Sequence, residues 1–308
     1  LLSWCMRNLL LITWQFNWLS VRGINQIKSA APILCLLCGI LGLGYQYKVI
    51  EFLSQNLKTA QKHPVDYFKK YYRDPADVTF HLSPHPKSLI LIYVESFENS
   101  YQHETLFGKD LLKSLTHFKP SISFNEFVQT RGADWTVAGI VASQCGVPLK
   151  LISIFPHNAI GIVHHHFLPN AFCLGDVLNT FGYRNIFMNG SSLAFAGDGK
   201  FFNAHRYDEI IGREEWLQQG VQPNQLIGWG LPDDLLFQKA KLKLTQLIQN
   251  KQLFNLTLLT IDTHGYNGQL NQTCKAQQGK NFEDIVQCTS DEVYDFIKFV
   301  KDKGWLDR

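Results

Sequence analysis

The run SLILIYVES at residues 88–96 decides the fold class, because it is apolar, partly β-branched and closed by a carboxylate. Such a run is typical of a strand that is covered on both faces of a sheet. Three further runs of this kind follow along the chain, at 122–128, 184–188 and 254–261.

Helical patterns lie between these strand candidates, at 137–144, 174–180, 233–248 and 290–303. Several of them begin beside Asp, Ser or Thr, which are common helix caps. Strands that alternate with helices predict an α/β fold with a mostly parallel sheet and helices on both faces. In such sheets, ligands bind at the carboxyl ends of the strands.

The composition limits the class of protein. The 308 residues are 45% hydrophobic and 18% charged, which is enough for a sizeable core, and the formal net charge is +3. That charge is small, and no stripe of Lys and Arg alternates with aromatic residues, so the sequence excludes a nucleic-acid binder. Because the chain begins at Leu1 and stops at Arg308 just after a helical pattern, we expect a piece of a longer protein.

The first fifty residues differ in kind from the rest. The run from Ser29 to Tyr47 carries no charge and is long enough to cross a bilayer of about 30 Å as a helix. Arg22 and Lys28 precede it, so the positive-inside rule predicts that the chain after it is exported. An earlier apolar stretch, Leu9 to Leu19, favours this interpretation over a signal peptide. A buried helix of a soluble domain is the other alternative.

These observations predict three segments. Residues 1–50 are expected to hold the membrane segments with a transmembrane helix at about 29–47, residues 51–87 a juxtamembrane linker, and residues 88–308 the catalytic domain. The predicted location is the inner (cytoplasmic) membrane, with the catalytic domain on the periplasmic side.

The cysteines of the predicted domain form an even set of four without a CxxC zinc pattern: Cys145, Cys173, Cys274 and Cys288. In an exported domain this favours two disulfides, most simply Cys145–Cys173 and Cys274–Cys288. The second pair would close a short polar loop, and the first would tie two predicted helices together. Four buried free thiols are the alternative.

Three side chains that could take part in chemistry are predicted at the strand ends. Glu95 follows the first strand, where an unpaired charge is costly. It could bind a metal cation, cap the helix that follows, or form an ion pair. Thr136 begins a helix of small residues, where it could cap the helix or face a bound phosphate. His264 follows the last strand. Together the three suit a metal-activated nucleophile that attacks phosphorus.

Several blocks of the sequence resemble one family: LIYVESFE, GADWTVAGIVASQCGVPL, FCLGDVLNTFGYRNIFMNG, SLAFAGDGKFF and LLTIDTHG. They are similar to the phosphoglycerol transferases that decorate osmoregulated periplasmic glucans, which are relatives of the lipoteichoic acid synthases. The resemblance runs from about Ser88 to the end of the chain. It implies the alkaline phosphatase and sulfatase-like fold.

The resemblance also implies roles for individual residues. Glu95 and Thr136 would be ligands of a divalent metal, commonly manganese, Thr136 would carry a covalent phosphoglycerol group, and His264 would contact the substrate phosphate. The family completes its metal site with an Asp-His pair, which we expect after Arg308. Five further positions are expected to bind substrate, with the last two standing in for an arginine of the lipoteichoic acid synthases: Asp134, Asn189, Phe202, His205 and Arg206.

The implied reaction moves phosphoglycerol from a phosphatidylglycerol-type lipid to a glycan or polyglycerol-phosphate acceptor. A sulfatase-fold phosphodiesterase, a phosphoethanolamine transferase and a non-catalytic exported binding protein are the alternatives. Sulfatases carry a CxPxR or SxPxR string at the nucleophile, where this chain has Thr136 followed by VAGI. Thr136 therefore favours phosphorus over sulfur.

Overall fold

The computed structural model describes residues 21–46, 53–54, 70–124, 126–129, 133–149, 158, 160, 167–265, 267–277 and 281–306. The chain divides into two compact units, Leu1–Asp66 and Tyr67–Arg308. The segment boundaries predicted from the sequence remain predictions.

The first unit contains a 26-residue helix, α1 (Val21–Gln46), which includes Pro32 and covers most of the predicted transmembrane run. Leu34 and Leu41 on this helix are exposed. No helix among the described residues combines the length and the apolarity needed to cross a membrane. The transmembrane helix therefore stays a prediction, and the stretch Leu9 to Leu19 lies outside the described residues.

The second unit is built on a parallel four-stranded sheet with the order β1-β4-β2-β3. Its strands are β1 (Leu89–Tyr93), β2 (Arg184–Asn189), β3 (Glu209–Ile211) and β4 (Phe254–Leu259). The central strand β4 is buried along its whole length, and four of its six residues are apolar. The predicted parallel α/β fold is confirmed.

Nine α-helices accompany the sheet within the described part of this unit: α2 (Glu104–Phe107), α3 (Lys113–Thr116), α4 (Thr136–Cys145), α5 (Leu174–Thr180), α6 (Asp198–Ala204), α7 (Arg213–Gln218), α8 (Asp233–Gln249), α9 (Gln272–Gln277) and α10 (Phe282–Asp302). Alternate residues of β2 enter two separate cores, because successive side chains of a strand point to opposite faces. Ile186 packs in a cluster with Leu236 of α8 and Phe296 of α10. Phe187 packs in a second cluster with Val137 of α4 and residues of α6.

One predicted strand is wrong and one strand was missed. The described residues of 122–128 form no strand, and Ile122, Phe124, Phe127 and Val128 are between 77% and 85% exposed. Their composition favours extended backbone, but a strand also needs a neighbour, and none of the described strands pairs with this stretch. The strand β3 has only three residues, too few for a periodic pattern.

Candidate active site

The parallel sheet brings the predicted residues to one edge. Glu95 lies two residues beyond β1, and His264 follows β4, the strand that pairs with β1. Thr136 is the first residue of α4. The N-cap of that helix is Trp135, so the Thr136 side chain is not occupied in capping the helix.

Glu95 is the centre of the cluster. The Thr136 hydroxyl donates a hydrogen bond to Glu95 Oε2 at 2.9 Å, and His264 Nδ1 pairs with Glu95 Oε1 at 3.2 Å. The Ser96 hydroxyl also donates to Oε1, at 3.1 Å. The backbone is held as well, because the Glu95 N–H donates to Thr260 Oγ1 at 2.9 Å. These contacts join the three predicted strand-end residues directly.

The electrostatics follow from these bonds. Burial by itself would raise the pKa of Glu95, but hydrogen bonds from His264 and Thr136 outweigh it, so the net pKa is lowered. The hydrogen bond to Glu95 raises the pKa of His264 against the opposing effect of burial. The site therefore favours an ionised carboxylate beside a histidine that holds its proton more tightly than usual.

A second carboxylate, Asp198, lies close by, and its place beside the substrate segment implied by the family resemblance left only a minor binding role open for it. Asp198, the first residue of α6, is 3% exposed, and its Oδ1 atom has no hydrogen-bond partner. Burial, and then the charge of Glu95, raises the pKa of Asp198 to about 7. The sequence Gly197-Asp198-Gly199 suggested a turn. One sign of close packing at this segment was the second glycine, because a Cβ on Gly199 would lie 2.8 Å from Leu193 Cβ.

The oxygen atoms at this edge fit a divalent cation. Glu95 supplies a carboxylate and Thr136 a hydroxyl, which are the hard oxygen ligands that Mg²⁺ and Mn²⁺ accept. The buried Asp198 oxygen without a partner is a hydrogen-bond acceptor that the described protein groups leave unsatisfied. The donor set therefore agrees with the ligand roles expected for Glu95 and Thr136.

Aromatic rings lie on one side of the cluster. The ring of Trp229 stands edge to face on His264, with 4.7 Å between the ring centroids. Phe195 is 5.7 Å from Trp229 and 6.3 Å from His264, again between centroids. Neither aromatic residue was predicted from the sequence.

Comparison with known proteins finds homologues over most of this chain. Phosphoglycerol transferase I of Escherichia fergusonii is 36% identical over 248 residues, which is 78% of this chain. The enzyme of the same name from Citrobacter koseri is 34% identical over 262 residues, or 82% of the chain. Over this stretch the chain is a homologue of the phosphoglycerol transferases. It spans 31% of the length of the Escherichia relative and 33% of the Citrobacter relative.

Solved structures support the same fold. The lipoteichoic acid synthase LtaP from Listeria monocytogenes superposes with a TM-score of 0.55 at 18% identity, covering 73% of this chain and 56% of LtaP. A protein of the alkaline phosphatase superfamily from Vibrio parahaemolyticus gives 0.54 at 20% identity, covering 72% of this chain and 52% of that protein. No family model matches the sequence. The predicted alkaline phosphatase-like fold is confirmed.

Three substrate-binding residues expected from the phosphoglycerol transferase resemblance do not lie at this edge. Phe202 is fully buried and stacks on Phe187, and His205 is 1% exposed and pairs with Asp176. The carbonyl of Arg206 accepts a hydrogen bond from Asn185, at the start of β2. Helix α6 carries the chain from the carboxyl edge of the sheet to its amino edge, so the structure does not bring these three residues to Glu95, and substrate contact by them stays a prediction.

The other two expected residues lie nearer the cluster. Asn189 ends β2 and donates a hydrogen bond to Asp198 Oδ2 at 3.4 Å, but it is only 1% exposed. Asp134 is exposed and lies two residues before Thr136. Substrate contact by either residue stays a prediction.

A second cluster of acidic residues, separate from the Glu95 cluster, is buried around Asp262, shortly after β4. One ligand atom from each of Asp233, Asp262 and Glu292 falls within 4.8 Å of the others. Backbone N–H groups and the amides of Gln269 and Asn271 already donate to these carboxyl groups. Burial raises the pKa of all three, to about 6 for Asp262 and about 8 for Glu292. We infer that the cluster is held by shared protons and amides.

Both expected disulfide pairings are present in the structure, as Cys145–Cys173 and Cys274–Cys288. The first joins the end of α4 to the residue before α5, and so anchors the helix that Thr136 begins. The second joins α9 to α10.

Replacing either pair with two alanines should lower the free energy of unfolding by about 2–4 kcal/mol, because the unfolded chain regains the freedom of the closed loop. Chemical denaturation of each double variant measures this loss. Mass spectrometry of non-reduced peptides from protein purified without reductant should find both pairings. Four alkylatable thiols in that protein would contradict this account.

Proposed function

We propose that this chain carries the nucleophile of a membrane-associated, metal-dependent phosphoglycerol transferase. The observation that carries the proposal is the hydrogen bond from the Thr136 hydroxyl to Glu95 at the amino terminus of α4. A helix amino terminus offers free N–H groups and a positive dipole end, both of which favour a bound phosphate. The names of the curated relatives support the same reaction class.

In the first step Thr136 Oγ1 forms a bond to the phosphorus of a phosphatidylglycerol-type lipid. The bond from phosphorus to the diacylglycerol oxygen breaks, and diacylglycerol leaves after taking up a proton. The hydroxyl proton of Thr136 is released to water, which also supplies the proton that the diacylglycerol oxygen takes up, while Glu95 stays ionised and orients the hydroxyl through Oε2. His264, 27% exposed at its side chain, is available to donate a hydrogen bond to a phosphoryl oxygen.

In the second step an acceptor hydroxyl attacks the same phosphorus and the bond to Thr136 Oγ1 breaks. The threonine recovers its proton and the acceptor keeps the phosphoglycerol group. The proposed acceptor is a glycan or a polyglycerol-phosphate chain. The proposed setting is the outer side of the inner membrane, where an anchor at 29–47 would keep the site near its lipid donor.

Glu95 and Thr136 are the residues that would hold the divalent cation, for which we propose manganese. A bound cation would lower the pKa of the coordinated hydroxyl and would neutralise charge on the phosphoryl oxygens. An ionised Asp198 would add to the attraction for the cation, which would in turn favour the ionised form over the protonated form that burial favours.

Removal of the metal should lower activity at least about a hundredfold, since two carboxylates would then repel the anionic substrate. The assay incubates the natural full-length protein with phosphatidylglycerol labelled in its acyl chains and follows release of labelled diacylglycerol. Treatment with a chelator should abolish the release, and Mn²⁺ should restore it. Full activity after exhaustive chelation would contradict metal dependence, and no release from any phospholipid would contradict the proposed function.

A further inference from the structure

Trp229 is an exposed aromatic residue beside the proposed catalytic residues. It is 44% exposed, although its ring contacts His264 edge to face and Phe195 at an angle. A large aromatic side chain left this open to water at the margin of a site offers apolar area that a ligand can cover.

The backbone around Trp229 fixes its position. A Cβ on Gly230 would lie 1.9 Å from the Gly190 carbonyl oxygen, and one on Gly228 would lie 2.3 Å from Gln269 Oε1. Gly228 also has a φ of 43°, which a residue with a side chain rarely adopts. Both neighbours of Trp229 must therefore be glycine, and Trp229 is the one side chain that this tight turn presents.

The turn is tied to the strand end that carries His264. The Trp229 N–H donates to Gln269 Oε1 at 3.1 Å, and the Gln269 amide donates to Asp262 Oδ1 at 2.7 Å. Asp262 lies two residues before His264. Trp229 is thus held rigidly relative to His264, and little conformational entropy is lost when a ligand covers its ring.

We propose that Trp229 is the platform on which a sugar ring of the acceptor stacks. It would thereby favour a glycan acceptor, which is built of sugar rings, over an acceptor without a ring, such as glycerol. The inference rests on the proposed function and names one determinant of its second step. A pyranose has an apolar C–H face and a polar rim. That combination matches one fixed aromatic ring flanked by the Gln269 amide and His264. An acyl chain would need a longer apolar groove.

The test compares three substitutions in the natural full-length protein. Trp229→Ala removes the ring, Trp229→Phe keeps a flat ring, and Trp229→Leu keeps apolar bulk without a flat face. Leu242→Ala, at an exposed apolar residue of α8, is the control for loss of surface apolar area. Each variant is assayed with labelled phosphatidylglycerol and with either a glucose oligosaccharide or glycerol as acceptor.

With the oligosaccharide, Trp229→Ala and Trp229→Leu should each lower kcat/KM for the acceptor about tenfold, and Trp229→Phe should lower it less than threefold. With glycerol, the same variants should lose less, so that the ratio of kcat/KM for the oligosaccharide to kcat/KM for glycerol falls. The ratio of transfer to donor hydrolysis should fall in parallel with the oligosaccharide values. Leu242→Ala should match the unsubstituted protein throughout.

Three results would overturn the inference: unchanged oligosaccharide kinetics in Trp229→Ala, an equal loss with both acceptors, or full rescue by leucine, which would indicate contact with lipid. Calorimetric binding of the oligosaccharide in the absence of donor gives an independent measure, and Trp229→Ala should weaken it about tenfold. If the unsubstituted protein cleaves no donor, the proposed function fails, whereas normal cleavage without a Trp229 effect refutes only the platform.

Discussion

Replacing Thr136 with alanine should lower phosphoglycerol transfer at least about a thousandfold, because the proposed covalent step loses its nucleophile. Only the hydroxyl and methyl groups are removed, at the first position of α4, where Trp135 provides the cap. The fold should therefore persist. Thr136→Ser is the matched control, since it keeps a hydroxyl within reach of Glu95 and should retain measurable activity.

The measurement is the rate of diacylglycerol release from phosphatidylglycerol, combined with thermal unfolding of each variant. The alanine variant should unfold within a few degrees of the unsubstituted protein. Turnover near the original rate in Thr136→Ala would remove the mechanism proposed here. Equal losses in the serine and alanine variants with normal unfolding would indicate that the methyl group, and not the hydroxyl, is required.

Replacing Glu292 with glutamine should make the protein markedly more stable at pH 8 and little changed near pH 4. Burial, and then the charge of Asp262, raises the pKa of Glu292 from its ordinary value of 4.5 to about 8. Glutamine has the same shape as the protonated acid, keeps an oxygen for the Asn271 amide, and cannot ionise. The expected gain at pH 8 is on the order of 4 kcal/mol.

The sign follows from proton binding. Between pH 4.5 and 8 the folded protein holds the Glu292 proton and the unfolded chain does not, so raising the pH favours unfolding. The loss approaches about 1.4 kcal/mol per pH unit for this carboxyl group. The pKa of Asp262 is raised to about 6, so its ionisation also destabilises the folded protein as the pH rises, over a lower pH range.

Urea denaturation of both proteins at several pH values between 4.5 and 8 measures the two slopes. The unsubstituted protein should lose stability faster than Glu292→Gln as the pH rises. Parallel slopes would show that Glu292 titrates normally in the folded protein. Lower stability of the variant at every pH would show that the carboxyl group is ionised and balanced by a group outside the described residues.

The local sequence predicted most of the sheet. A buried parallel strand favours apolar side chains on both faces, a pattern that β1 carries at all five positions and that β2 and β4 carry over part of their length. The same criterion failed at 122–128, because an apolar run states a preference for extended backbone but not the presence of a pairing partner. It also missed β3, whose three residues are defined by their pairing with β2.

The core of the site was predictable because parallel strands end at one edge. That rule brought Glu95 and His264 together from positions 169 residues apart. It could not place residues on connecting segments. Phe202, His205 and Arg206 follow Asp198 closely in sequence, yet α6 takes them away from the edge. The direction of that helix could not be inferred from the local sequence.

Asp198 and Trp229 were missed for a related reason. Each lies next to glycines that close packing requires: Leu193, a few residues away, approaches Gly199, and Gly190, from a remote part of the chain, approaches Gly230. These contacts appear only in the folded chain. Glycines on both sides of a functional side chain were the available signal.

The most direct test of the central claim is the identity of the covalently modified residue. The natural full-length protein is incubated with phosphatidylglycerol, quenched in acid within the first turnover, digested and analysed by mass spectrometry. The account predicts a phosphoglycerol group on the peptide that contains Thr136, at Thr136 itself, and its disappearance when acceptor is added. A phosphoglycerol group on any other residue, or no adduct during rapid diacylglycerol release, would contradict it.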